Sequence, residues 1–188
     1  MPLSSLGFDL DRGERELWAG APRTGIVFRS ADLMMVPFSL LWGGFAFFWE
    51  FSVVQTGAPW SFRLFGVPFV LVGLYIIVGR FFVDAYRRAQ TTYLVTSERI
   101  IINSGVFVRT TKSLNLRTLT DVTLTESGNG IGTITFGPQL PGRALYQGMA
   151  WPGMQTTPAF DLVPDAERVY AIVRRAQEQA STSGAAPA

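Results

Sequence analysis

The chain has 188 residues, 48% of them apolar and only 16% charged, and its 16 basic and 14 acidic groups leave a net charge of +2. It holds neither cysteine nor histidine, which excludes disulfides, thiol nucleophiles, Ser–His–Asp triads and any zinc site built on those side chains. No long basic run marks a nucleic-acid surface, and nothing in the chain calls for a cofactor.

Residues 1–30 read as a short segment on the cytoplasmic side. Its first charges are Asp9 and Asp11, and no short apolar stretch with a small-residue cleavage site follows, so the apolar helices that come next are expected to stay attached. Residues 13–20 (GERELWAG) read as a short strand or extended piece holding Trp18, which fits a packed or interfacial anchor better than a binding surface. Ala21-Pro22-Arg23 ends that piece, and Ile26-Val27-Phe28-Arg29 looks interfacial.

Two apolar runs follow, 33–49 with 17 residues and 64–79 with 16, neither containing a charge. Crossing a bilayer core of ~30 Å takes about 20 apolar residues in a helix. Each run extends in kind past its bounding charge, through Phe51, Val53 and Val54 and through Phe81, Phe82 and Val83. A soluble chain of this length would have to bury two helices that are apolar all round, so residues 31–90 are expected to form a two-helix transmembrane hairpin. Ser30 or Asp32 would cap the first helix, and Pro37 in its first turns is tolerable. Residues 55–60 (QTGAPW) form the turn, flanked by Trp49 and Trp60, and the second helix runs from about Ser61 to about Ala89. Arg23, Arg29, Arg80, Arg87 and Arg88 flank the open end, against Arg63 alone in the turn. Basic residues favour the cytoplasmic side, so an inner-membrane protein with both termini cytoplasmic is expected. Gly66 and Gly73 share a helical stripe that should meet Gly43, Gly44 and Ala46. Glu50 and Arg63 stand at matching depth about the turn and are expected to pair.

From residue 91 the period changes to that of strands. Residues 92–96 (TYLVT) and 99–103 (RIIIN) form a β hairpin, followed by 106–109 and 113–117. Residues 121–125 (DVTLT) and 133–136 (TITF) alternate strictly, which turns Val122, Leu124, Ile134 and Phe136 inward. Residues 137–158 are rich in Pro and Gly and read mostly as loop, and a last strand is expected from near Gln155 to Leu162. Pro164 and Asp165 open a helix whose Val169, Ile172, Val173 and Ala176 form one apolar face. The helix ends near Ala180, so a β domain over 91–180 and a tail over 181–188 are expected.

Antiparallel strands closed by one amphipathic helix resemble the pleckstrin-homology arrangement, here an α+β membrane protein with the β sandwich or barrel behind the hairpin. The residues resemble the bacterial pleckstrin-homology-like family of the membrane-anchored type. The likeness lies in Tyr93-Leu94-Val95-Thr96 with Glu98-Arg99-Ile100-Ile101-Ile102, in Gly130-Ile131-Gly132-Thr133-Ile134-Thr135-Phe136, and in Phe160, Asp165 and Val169-Tyr170. Trp18-Ala19-Gly20-Ala21-Pro22 fits the same type. The resemblance implies an interaction module, in some cases oligomeric, rather than an enzyme. Phosphoinositide-binding eukaryotic relatives carry several Lys and Arg around the first β hairpin. With that hairpin read as 92–103, only Glu98 and Arg99 stand at its turn, and the site is not carried over.

Gly128–Gly132 resembles a phosphate-binding loop but precedes a strand, so it reads as a β turn. Arg109, Lys112 and Arg117, with juxtamembrane Arg87 and Arg88, form either a surface for anionic lipid or solvated and topology-setting charges. Tyr146, Met149 and Trp151 lie in a loop that either contacts a partner or membrane or folds back over the barrel. Asp121, Glu126 and Asp161 are scattered carboxylates with no evident catalytic pairing. The expected function is a non-enzymatic, membrane-anchored interaction or assembly module, bound to the lipid bilayer and to an unidentified membrane or cytoplasmic protein or a second copy of itself. The alternatives are a sensor of anionic lipid and a transport or enzyme component using Glu50.

Overall fold

The structure, a computed structural model, describes residues 10–29, 32–105, 109–127, 129–138 and 157–183. Strand β1 (Glu16–Gly20) precedes helix α1 (Asp32–Gln55) and helix α2 (Trp60–Leu74). Helix α2 continues through a π-helical turn (Tyr75–Gly79) into α3 (Arg80–Ala89). Strands β2 (Thr92–Thr96), β3 (Arg99–Ser104) and β4 (Thr110–Asn115) follow, then a 3₁₀ turn (Leu116–Thr118). Strands β5 (Val122–Ser127), β6 (Ile131–Phe136) and β7 (Ala159–Pro164) lead into the final helix α4 (Ala166–Ser183). The described residues fall into two compact units, one of strands and α4, the other spanning Gly25–Ala85.

In the β unit, one antiparallel sheet has the order β1-β2-β3-β4 and the other β5-β6-β7. Segment 10–24, ahead of the helices, therefore supplies a strand to the β unit as well. Gly20 pairs with Tyr93 and Ala19 with Leu94, so the helical hairpin is an insertion between two neighbouring strands. The core gathers on Phe160, whose ring lies 4.5 Å from Tyr93, 4.9 Å from Phe136 and 5.6 Å from Trp18. Aromatic pairs at such separations add to the burial of their area. Val169, Val173, Ala176 and Ala180 of α4 close over this core, with Ile172 half-buried beside them. Leu94 and Ile101 point away from it and are buried nonetheless. Strand β3 is accordingly covered on both faces, which its unbroken Ile100-Ile101-Ile102 run reflects.

Several local expectations shift. The final helix starts at Ala166 rather than at Pro164, because Asp165 takes a left-handed φ of 51°, a conformation Asp tolerates better than most residues. It runs on to Ser183 instead of ending near Ala180. Residues 116–117, expected in a strand, lie in the 3₁₀ turn, where the Asn115 side chain accepts the Arg117 N–H. Gly130, at φ 75°, lies in the turn between β5 and β6, and Ile131 and Gly132 belong to β6. The expected strand over 106–109 lies mostly outside the described residues.

In the helical unit, Ser39, Gly43 and Ala46 are buried on α1, and Gly66 and Gly73 on the second leg. A Cβ on Gly73 would stand 3.1 Å from the Gly43 Cα, so the backbones meet there as the small residues predict. Gly44 is the exception, with nothing within 4 Å of its Cβ position. The Ser39 and Ser52 hydroxyls donate to the carbonyls of Val36 and Phe48, which satisfies them within an apolar helix.

Gly73→Ala should weaken the helix pair while Gly44→Ala leaves it intact, a contrast that thermal unfolding of the two detergent-solubilised variants will show. Phe160→Ala should cost the β unit about 3–5 kcal/mol, read by chemical denaturation.

Candidate functional site

Charge is sparse on the hairpin and is concentrated at its open end. The Asp32 carboxylate accepts the Arg29 backbone N–H at 2.7 Å, the reciprocal half of a capping box. Asp32 stands in the first turn of α1. Its other oxygen meets the Arg80 guanidinium at 2.8 Å, with both side chains almost fully buried. A buried ion needs such pairing, because an uncompensated one is strongly destabilising. Arg80 also lies 4.4 Å from the Phe81 ring centroid, and Phe81 packs on Phe28 at 5.1 Å. A second, more exposed bridge joins Arg29 to Asp84 at 3.4 Å.

At the turn end the expected Glu50–Arg63 pair is not formed among the described residues. Arg63 is exposed and donates its Nε to the Ala58 carbonyl at 3.0 Å. Glu50 instead turns into the helix seam, where a Cβ on Gly66 would collide with its carboxylate. Its Oε2 is buried without a hydrogen-bond donor among the described residues. Glu50 lies level with Gly66, about one turn from Arg63, and on the seam face. Asp32, Ser39, Gly43, Ala46 and Glu50 share one stripe at spacings of seven, four, three and four, so Glu50 belongs to the seam.

The proposed contact residues differ in exposure and in the elements that carry them. Arg87 is exposed, but Arg88 is only 5% exposed and donates to the Arg23 carbonyl. The Arg23 N–H in turn donates to the Leu162 carbonyl at 2.9 Å. Arg109 lies ahead of β4 and Arg117 in the 3₁₀ turn, both exposed. Half-buried Lys112 pairs with core residue Ile102, so of the three only Lys112 lies on the strand. Tyr146, Met149 and Trp151 lie outside the described residues. Asp121 and Glu126 are exposed, and Asp161 accepts the Thr133 hydroxyl at 3.1 Å. The first β hairpin of the fold is β1–β2, not β2–β3. The 92–103 hairpin with Glu98 and Arg99 is thus the second, and the helical insertion stands where the first would turn.

A contact invisible to local pattern joins Glu14 to Arg99. The Arg99 Nε and a terminal nitrogen reach the two Glu14 oxygens at 2.9 and 2.8 Å. The Thr96 hydroxyl donates to Glu14 at 2.6 Å and accepts the backbone N–H groups of Glu98 and Arg99. The Asp11 N–H reaches the same carboxylate, and the Asp11 side chain lies 3.2 Å from Arg99. The sequence signal was Thr96 and Arg99 three apart, with the acids Asp11 and Glu14 ahead of the pairing strand. Burial pushes the Glu14 carboxyl up, but hydrogen bonds from Arg99, Thr96 and the Asp11 N–H, with the Arg99 charge, hold it below its ordinary 4.5. The same contacts push the Arg99 guanidinium up. A carboxyl held down in the folded chain adds stability above its unfolded pKa, and that stability is lost as pH falls through the lower folded value. Glu14→Gln should thus lower the melting temperature near neutral pH. It should also flatten the decline below about pH 4.5, the unfolded value for a glutamate, as melting curves across pH will register.

A family model described as bacterial PH domain matches residues 44–177. The chain is 26% identical over 190 residues to an uncharacterized 23.7 kDa protein in the puhA 5' region of Rhodobacter capsulatus, covering 94% of this chain and 86% of that protein. No solved structure gives a significant match. The family match takes in most of the chain and runs through β2–β7 and the greater part of α4: the chain belongs to the bacterial PH domain family.

Proposed function

We propose that the chain is a non-enzymatic, membrane-anchored interaction or assembly module. In this reading the hairpin spans the inner membrane with both ends cytoplasmic, and the PH-like unit binds a protein partner there, a second copy included. One observation carries it: the long helices turn their large apolar side chains outward. Leu33 is 86% exposed, Leu41 75% and Trp60 75%. The helical stretches Asp32–Gln55 and Trp60–Ala89 are long and apolar enough to cross a bilayer, and only 22% and 17% of their most apolar windows are buried. Core helices of a soluble protein would be mostly buried, and an exposed apolar patch of this extent marks a lipid or protein contact. The concentration of Arg at the open end supports the orientation. A PH-like unit in which the described carboxylates are scattered or tied into structural contacts fits a module better than an enzyme.

A second reading, a transport or enzyme component built on Glu50, draws on its buried oxygen without a donor. An acid in an apolar span is often functional. Here the carboxylate rests on the Gly66 backbone, and seam packing accounts for its placement.

Cysteines introduced singly at Thr56 and Ser181 test the topology on a background with no native thiol. A membrane-impermeant maleimide should label the Thr56 variant in intact cells and the Ser181 variant only after lysis. Labelling of Ser181→Cys from outside would overturn the orientation, and release of the chain by alkaline carbonate would overturn the anchor.

A further inference from the structure

Beyond β1 the Arg23 N–H reaches Leu162 of β7, while β4 and β5 keep a neighbour on one side only among the described residues. The direction of their backbone groups follows from two hydrogen bonds. The Leu116 N–H donates to the Glu98 carbonyl, in step with the β3–β4 register, so the even-numbered residues of β4 aim at β3. Thr111, Ser113 and Asn115 therefore aim their N–H and C=O groups outward. The Gly137 N–H donates to the Asp121 carbonyl, in step with the β5–β6 register. Odd-numbered residues of β5 thus aim at β6, and Val122, Leu124 and Glu126 aim outward. Free edges of this kind are templates for a further strand. Their charges are opposite. Residues 109–117 hold Arg109, Lys112 and Arg117 and no acid, whereas residues 121–127 hold Asp121 and Glu126 and no base. Among the described residues none of these side chains forms an ion pair.

We infer that β4 of one copy pairs antiparallel with β5 of a second copy, so that the β units join head to tail through these edges. Outward backbone groups are odd-numbered on β4 and even-numbered on β5, and a ladder forms only in registers that set one against the other. One such register places Arg109 opposite Glu126, Thr111 opposite Leu124 and Ser113 opposite Val122. It also sets Thr110 opposite Thr125, and Lys112 diagonally from Asp121, within reach of its long side chain. Like edges lack this match. Pairing β4 with β4 would bring the cations of both copies together with no acid between them, and β5 with β5 would bring together only acids. Lys112, midway along its edge, further discourages strands that carry no acid. A contact between unlike patches leaves one β4 and one β5 free, so it can repeat from copy to copy. The inference rests on the assembly reading above and names its partner and its surface.

Single cysteines on the thiol-free background test it in the full chain, with Thr110→Cys and Thr125→Cys carried by two differently tagged, co-expressed copies. Both positions are exposed. Facing residues that exchange no backbone hydrogen bond have Cα atoms about 4.5 Å apart, close enough for a disulfide. Mild oxidation should give the mixed 110–125 product well above the 110–110 and 125–125 products. Arg109→Glu in the first copy, or Glu126→Arg in the second, should lower the mixed product about fivefold, because an attraction across the strands becomes a repulsion. The two reversals together should restore it. Equal yields of the three products, which chance collision gives, overturn the inference, as does a double reversal that restores nothing or the absence of any product. Membrane and soluble fractions are read side by side. Loss of the anchor moves the chain between fractions, whereas loss of the edge contact removes the mixed product from both, so failure of the anchoring reading and failure of this one are told apart. A chain that stays in the membrane without the mixed product overturns the edge contact alone.

Discussion

Everything in this fold depends on β1 pairing with β2 across the whole helical insertion. With Gly20 opposite Tyr93, the chain leaves and re-enters the sheet on adjacent strands, whose paired Cα atoms stand about 4.5–5.5 Å apart. The two legs of the hairpin are thus tethered close together at their open end. The Glu14–Arg99 clamp secures the far end of that pairing, since a bidentate guanidinium–carboxylate contact fixes direction as well as distance. On the near side Arg88 holds the Arg23 carbonyl, and Arg23 bonds Leu162 in turn, so the two strands of chain that leave the β unit are bound to it and to each other.

Charge in the helical unit is used sparingly and always against a partner or a boundary. Arg80 lies buried with Asp32, and Arg29 holds Asp84 closer to solvent. The first bridge owes its strength to shielding from water, while the second is worth little by itself. Together with the Phe28–Phe81 contact they join the two legs at the open end. Beyond them the seam narrows to glycine, and at Gly43 and Gly73 main chains pack without intervening side chains.

The helices, most of the strands and the Gly43–Gly73 contact were legible because each is written in a local period, of 3.6 or of 2, and the PH-like resemblance joined them into a fold. What stayed hidden shares one character: it is a choice among partners distant in sequence. Arg88 reads as one more flanking cation, and only its place on α3 commits it to the Arg23 carbonyl. The expected match of Glu50 with Arg63 misplaced the centre of the turn by about one helical turn, since Glu50 lies against Gly66, and Glu50 falls on the small-residue stripe. That stripe was readable in the sequence: the seven-residue spacing of the glycines, extended to the charges, reaches Asp32 and Glu50 on one leg and Arg80 and Asp84 on the other. Glu14 offered no such periodic cue. The left-handed Asp165 displaced a helix start that proline alone would have set earlier.

The order of strands along the chain also sets an order in time. Glu16 finds its place only opposite Thr96, about 80 residues later, so at ribosomal rates of about 5–20 residues per second β1 waits roughly 4–16 s for β2 to be made. Loop-closure entropy rises slowly with the length enclosed, but the formed hairpin brings the two strand ends together and removes most of that cost. The insertion therefore acts as an intramolecular template during biosynthesis, and completion of the first sheet is coupled to prior assembly of the helices.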